Sequence, residues 1–191
     1  WEWLFNAMLK QEALPSMRVV QMAGPALERC NVGAYNCAFL PLEKIGCLPQ
    51  LLYILMQGTG VGFSVEQRYI DMLPPVAPQT LKQAINWVVE DSTEGWCDAL
   101  RMGLDTWWTG GQIEFDYTLI RPHGTPLKTK GGTASGPEPL KQLLGFAKKM
   151  LLAHQGRHLS SLNMHDLACF CGSIVQVGGV RRAAEISLSD L

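Results

Sequence analysis

The sequence carries almost no net charge. Its 16 lysines and arginines are met by 17 aspartates and glutamates, which leaves −1 at pH 7. A surface so balanced has little electrostatic hold on a phosphate backbone or an anionic bilayer, so no nucleic-acid partner and no membrane partner is expected. No apolar run reaches the roughly 18 residues that a membrane-spanning helix needs, and no secretory leader is visible. The six cysteines, Cys30, Cys37, Cys47, Cys97, Cys169 and Cys171, form no Cys-x-x-Cys pair, and the four histidines fall at no finger-like spacing. No metal site is therefore expected. Six thiols without a secretion signal fit a reducing compartment, and a cytoplasmic location is the expectation. There is no internal repeat and no low-complexity stretch.

What is present is a globular composition: 47% hydrophobic and 17% charged residues over 191 positions. That length buries one sizeable core. The chain begins Trp1-Glu2-Trp3-Leu4-Phe5 and stops at Ser189-Asp190-Leu191, directly after a strand-like run. It reads as a piece of something longer, a single partial domain over 1–191.

One stretch organises the rest, Gly58-Thr59-Gly60-Val61-Gly62-Phe63-Ser64-Val65. A dinucleotide fingerprint needs a strand before such glycines and a helix after them. Here Leu48, Leu51, Leu52 and Leu55 repeat at helical spacing before them, and Val61, Phe63 and Val65 alternate after them. The stretch is a helix-to-strand turn, and a plain tight turn without a ligand explains it as well as a binding loop does.

In chain order, Trp1, Leu4, Phe5, Met8 and Leu9 form one apolar helical face, closed near Pro15. A second helix starts at Met17 and breaks or kinks at Pro25. Ala34 to Leu42 reads as a strand, with Tyr35, Cys37 and Phe39 on one face. The apolar run from Leu81 to Val89 is read as a helix. Asp91-Ser92-Thr93-Glu94 opens another, with Trp96, Leu100, Leu104 and Trp107 inward and Gly110-Gly111 as its stop. Ile113, Phe115, Tyr117 and Leu119 alternate as a half-buried strand. After a glycine-rich loop, Pro137 starts a helix on Leu140, Leu143, Leu144, Ala147 and Leu151. Asn163 and Asp166 open the next, expected to run to about Gln176. Gly178-Gly179 breaks the chain, and Ala184, Ile186 and Leu188 end it on a strand. Helix and strand alternate throughout, which predicts an α/β fold with a mostly parallel sheet.

Several stretches together resemble a known family. Asn36-Cys37, Gly58 to Val65, Glu94-Gly95-Trp96, Ile120-Arg121-Pro122, Gly131-Gly132-Thr133-Ala134-Ser135-Gly136-Pro137 and Gly178-Gly179-Val180-Arg181-Arg182 occur in the order found in ribonucleotide reductases. In particular, they resemble the adenosylcobalamin-dependent (class II) ribonucleoside-triphosphate reductases. The resemblance implies roughly the first five-stranded half of a ten-stranded α/β barrel. It implies thiyl-radical reduction of a ribonucleoside triphosphate by a redox-active cysteine pair, one member of which would be Cys37. Replacing a ribose 2′-hydroxyl by hydrogen needs two electrons, which a thiol pair supplies on becoming a disulfide. Asn36, Gly60, Gly62 and Ser64 would then lie at the substrate. Gly178, Gly179, Val180, Arg181 and Arg182 would link a deoxynucleotide effector to the choice of base. A thioredoxin-type or dithiol reductant would restore the thiols, and most of the adenosylcobalamin site would lie outside this chain.

The family's Asn-Pro-Cys-x-Glu motif is absent from the sequence, so the 191 residues alone are expected to be inactive. The interval from Ile70 to Asp91 is short where well-known monomeric members carry an insertion that helps to build the effector site. Read from residues alone, Cys37 fits a buried packing residue as well as a catalytic one. Likewise Arg181 and Arg182 fit solvated charges, and Ser135 fits a helix cap as well as an anion site. A non-catalytic nucleotide-binding α/β regulatory domain and the phosphate-recognising half of another α/β barrel are the alternatives.

Overall fold

The computed structural model describes residues 1–80, 83–126, 132–175 and 183–190. They fall into two compact units, Trp1–Asn36 and Cys37–Leu191.

The first unit is helical: α1 (Glu2–Leu9), α2 (Met17–Met22), α3 (Pro25–Arg29) and a 3-10 turn over Asn31–Ala34. Ser16 caps α2 by accepting a hydrogen bond from the Val19 amide at 3.2 Å. The expected break falls just ahead of Pro25, where Ala23 is extended and Gly24 takes φ +94°. The apolar face read for α1 is not buried. Trp1, Phe5 and Leu9 are exposed, and Ala7 is the buried residue of that helix. A unit below about 40 residues has too little surface of its own to cover such a face.

The second unit holds five strands among the described residues, and every strand pair is parallel: β1 (Cys37–Pro41), β2 (Gly60–Ser64), β3 (Ala84–Val88), β4 (Gln112–Asp116) and β5 (Glu185–Leu188). β1, β2 and β5 form one sheet in that order, and β3 pairs with β4 in another. The helices are α4 (Cys47–Met56), the short α5 (Gln67–Ile70), α6 (Thr93–Trp108), α7 (Glu138–Ala153) and α8 (Ser161–Ile174). α4 links β1 to β2 and α6 links β3 to β4, as parallel pairing requires. The α/β expectation with a mostly parallel arrangement is borne out.

Leucine spacing places these helices correctly. Leu48, Leu51, Leu52 and Leu55 of α4 are all buried, as are Leu140, Leu143, Leu144 and Leu151 of α7. α4 packs against α6 and α8, and α7 packs against the same two helices. Phe146 of α7 stacks on Phe170 of α8 with ring centroids 4.7 Å apart. Ser92 caps α6 through the Gly95 amide at 2.9 Å. Ser160 and Asn163 form a reciprocal capping box at the start of α8. The chain turns from α4 into β2 at Gly58, whose φ of +78° suits glycine.

Three boundaries differ from the sequence reading. Residues 81–89 are expected as a helix, but Ala84–Val88 is strand β3, while 81 and 82 lie outside the described residues. Ile85, Val88 and Val89 are β-branched and stiff at χ1, which favours a strand once β4 offers a partner. β4 stops at Asp116 rather than at Leu119. The Asp116 carboxylate accepts a hydrogen bond from the Thr118 amide at 2.9 Å and turns the backbone out of the sheet. β1 begins at Cys37, not Ala34, because 31–34 wind into the 3-10 turn.

Candidate functional site

The sheet β1–β2–β5 has two unlike faces. Strand alternation puts Ala38, Leu40, Val61 and Phe63 toward the helices. Val61 and Phe63 are buried, and Ala38 and Leu40 pack against the same core. The opposite face carries Cys37, Phe39, Gly60, Gly62, Ser64, Ile186 and Leu188. Phe39, Ile186 and Leu188 there are 56%, 68% and 45% exposed. The register aligns Cys37 with Gly60, and Phe39 with Gly62 and Ile186.

This geometry brings three of the sequence-selected residues together. Cys37 is the first residue of β1, rather than lying at its middle, and its thiol is free and exposed. Gly60 lies beside it and Gly62 two residues further along β2. A methyl group at Gly62 would meet the Phe39 ring at 3.6 Å, an ordinary contact, and φ is not positive there. Neither the packing nor the backbone of this sheet requires that glycine. Its effect is to leave the open face bare beside the thiol. Asn36 is exposed and immediately precedes Cys37.

Ser64 ends β2 on the same side but differs from them in burial. It is fully buried, and its hydroxyl donates to Glu66 Oε2 at 2.7 Å while accepting from the Glu66 amide at 3.3 Å. Arg68 Nη2 reaches the same carboxylate oxygen at 2.9 Å. The Ser64 hydrogen bond, and after it Arg68, hold the Glu66 carboxyl below its usual range. Ser135 turns its hydroxyl to the Gly136 carbonyl at 3.2 Å. The stretch Gly178 to Arg182 lies outside the described residues. Ala184, just after it, accepts a hydrogen bond from the Val61 amide at 2.9 Å, so β5 joins the sheet beside Gly60.

The remaining thiols of this unit differ from Cys37. Cys47, Cys97 and Cys171 are buried. Burial pushes the Cys97 thiol up to about 12 and raises Cys171 further, so both stay protonated. Cys169 is exposed at its surface, and partial burial followed by the Glu185 and Asp166 carboxylates raises it too. No group of three or more His, Cys, Asp or Glu side chains among the described residues is arranged to hold a metal ion. No described helix is long and apolar enough to cross a membrane.

Sequence reasoning missed the Arg121–Asp91 pairing and the buried Glu185 carboxyl. Arg121 Nε pairs with Asp91 Oδ2 at 2.5 Å, joining the segments that follow β4 and β3. Glu185, on the helix-facing side of β5, is half-buried with Oε1 unpaired, and burial pushes its carboxyl up to about 7. Each depends on partners distant in sequence, and no local pattern announces them.

No family model matches the chain. Among curated proteins it is 31% identical to the adenosylcobalamin-dependent ribonucleoside-triphosphate reductase of Euglena gracilis, over 99% of this chain and 27% of that protein. It is 32% identical to a probable adenosylcobalamin-dependent ribonucleoside-triphosphate reductase of Dictyostelium discoideum, over 98% of this chain and 28% of that protein. Among solved structures, a B12-dependent (class II) ribonucleotide reductase superposes with a TM-score of 0.84 at 25% identity, covering 99% of this chain and 34% of that one. The chain thus spans about a third or less of the length of the proteins it matches.

Proposed function

The chain is homologous to one segment of the adenosylcobalamin-dependent ribonucleoside-triphosphate reductases, and from that premise we propose that it supplies the substrate-facing wall and one reducing thiol of such an enzyme. The full protein reduces ribonucleoside triphosphates to 2′-deoxyribonucleotides. The substrate lies on the open face of β1–β2–β5, its sugar against the backbone of Gly60 and Gly62. Cys37 and a second cysteine, outside this chain, give up two electrons and two protons as they form a disulfide. The 2′-hydroxyl leaves as water and hydrogen takes its place. A dithiol or thioredoxin-type reductant then returns the pair to thiols.

The observation that carries this reading is the exposed Cys37 thiol in register with Gly60, which leaves the strand beside it without a side chain. A packing cysteine would be buried, as Cys171 is. A nucleotide-binding domain without chemistry would have no use for an exposed thiol on its ligand face. Asn36 immediately precedes Cys37 in the sequence. Ser64 serves the site through Glu66, whose carboxylate it holds, and the 178–182 stretch adjusts the pocket to the base when a deoxynucleotide effector binds. Adenosylcobalamin supplies the radical-generating chemistry when bound. No step is assigned to it on this segment.

The test is Cys37→Ser in the full-length protein. Serine keeps the volume and loses the redox chemistry, so sustained deoxynucleotide formation with a dithiol is expected to stop. Cleavage of adenosylcobalamin, followed by absorbance, is expected to persist. Wild-type turnover in the variant would show that Cys37 is not a reducing thiol.

A further inference from the structure

Four side chains outside the proposed substrate face meet where α8 runs beside β5. His165 Nδ1 and Ser187 Oγ share a hydrogen bond at 3.0 Å. Cys169 Sγ lies 3.5 Å from Nε2 of the same ring. The ring also packs at 46° to Phe63 of β2, with centroids 5.9 Å apart. Further along α8, Gly172 makes room for Glu185, and a methyl group there would collide with the carboxylate. Positions 165, 169 and 172 form one stripe of the helix. Along that stripe the two elements run in opposite directions, His165 meeting Ser187 and Gly172 meeting Glu185.

α8 and β5 are the elements on either side of the stretch 176–182. A short connection can adopt only the conformations that the separation and direction of its ends allow. Apolar packing between a helix and a sheet is non-directional and does not by itself pair particular atoms. A hydrogen bond with a fixed donor–acceptor distance does not. The His165–Ser187 pair therefore fixes the register of α8 along β5 in a way the surrounding leucines do not.

We propose that His165 and Ser187 are positioning residues for base selection, setting the two anchor points of the stretch that contains Gly178 to Arg182. This rests on the reading of that stretch as the effector-responsive loop. Neither side chain lies on the open face with Cys37, so neither touches the substrate. Both act through where the stretch begins and ends.

The experiment uses the full-length reductase and measures kcat/KM for the four ribonucleoside triphosphates, with and without each of the four deoxynucleoside triphosphates. His165→Ala and Ser187→Ala are each expected to shrink the effector-dependent ratio between the best and worst substrate by about fivefold, at the low end of ordinary allosteric coupling. Turnover without effector is expected to change little. The double variant is expected to lose no more than either single one, because both remove the same bond. His165→Asn, whose amide nitrogen stands near the place of Nδ1, is expected to keep most of the ratio. Ser187→Ala removes a single oxygen, so it answers the question where His165→Ala fails to fold. Gly179→Ala is measured in parallel. If it changes the ratio while the His165 and Ser187 variants scale all four rates by one factor, the loop reading stands and the positioning role is overturned. If Gly179→Ala also leaves the ratio unchanged, the loop reading falls and the positioning role falls with it.

Discussion

One sheet presents two faces built on opposite rules. Toward the helices, β2 sets Val61 and Phe63 into the main core, with 2% and 0% of their surfaces exposed. On the other side, the same strand sets Gly60 beside Cys37, and Gly62 between Phe39 of β1 and Ile186 of β5, both more than half exposed. Alternation along five residues thus separates a face that holds the fold from a face free to meet something else. Selection for stability explains the first. It does not explain Gly62 in the interior of that strand, which costs about 0.5–1 kcal/mol relative to alanine. A face that carries that cost beside an exposed thiol is a face with a use.

The comparison breaks if the two faces respond alike to truncation. Phe63→Ala is expected to destabilise by about 3–5 kcal/mol, since the ring is fully buried among α4, α8 and the sheet and would leave a cavity. Phe39→Ala is expected to cost under about 1 kcal/mol, because much of that ring is already in water. Urea unfolding of the full-length variants checks both. Equal losses would mean that the open face is covered in the working protein by surface that Phe39 helps to hold.

Glu185 sharpens the comparison, because it puts a carboxyl on the wrong side of the sheet. It faces the helices from β5, with Oε1 buried and unpaired against Gly172. Burial raises its folded-state pKa from 4.5 to about 7. The sign follows from linkage: a carboxyl raised on folding binds its proton more tightly in the folded state. Its contribution is then fully present below about pH 4.5 and is lost as pH rises through about 7. At a half-buried position solvent screening reduces the effect to about 1–2 kcal/mol. Glu185→Gln is neutral at every pH, so its stability relative to the wild type is expected to rise between pH 5 and pH 8. A constant difference over that range would show that Glu185 ionises freely.

Much of this division is legible in the sequence alone. The 3.6-residue spacing of the leucines places α4 and α7, and the alternation about Phe63 places β2 with the correct face inward. Alternation also puts Cys37 and Phe39 on one face, and they share it. What escapes is whatever depends on a partner far away. Ile85 to Val89 carries no period that separates a short buried helix from a strand, and only pairing with β4 decides it. Alternation puts Ser64 on the side of Gly60 and Gly62, yet it is fully buried and bonded to Glu66, which alternation does not foretell. His165 and Ser187 lie 22 positions apart in different elements, so neither motif nor periodicity joins them. The exposure of Cys37 is equally hidden, because alternation assigns the thiol to a face without saying whether that face is covered.

The smallest expected effect divides stability from function most cleanly. Gly62 has ordinary strand dihedrals, and a methyl group there would meet only the Phe39 ring at 3.6 Å and the Ala38 carbonyl oxygen at 3.9 Å. Alanine therefore fits without strain and lowers the conformational entropy of the unfolded chain, an effect worth about 0.4–1 kcal/mol. Gly62→Ala is expected to raise the unfolding midpoint slightly. If a nucleoside lies against that backbone, the same methyl group stands where the sugar would be, and the full-length variant is expected to lose kcat/KM about tenfold through KM. The two measurements then move in opposite directions from one added carbon. A variant that is both stabler and fully active would leave the bare face without a ligand, and the substrate would have to be sought elsewhere on the barrel.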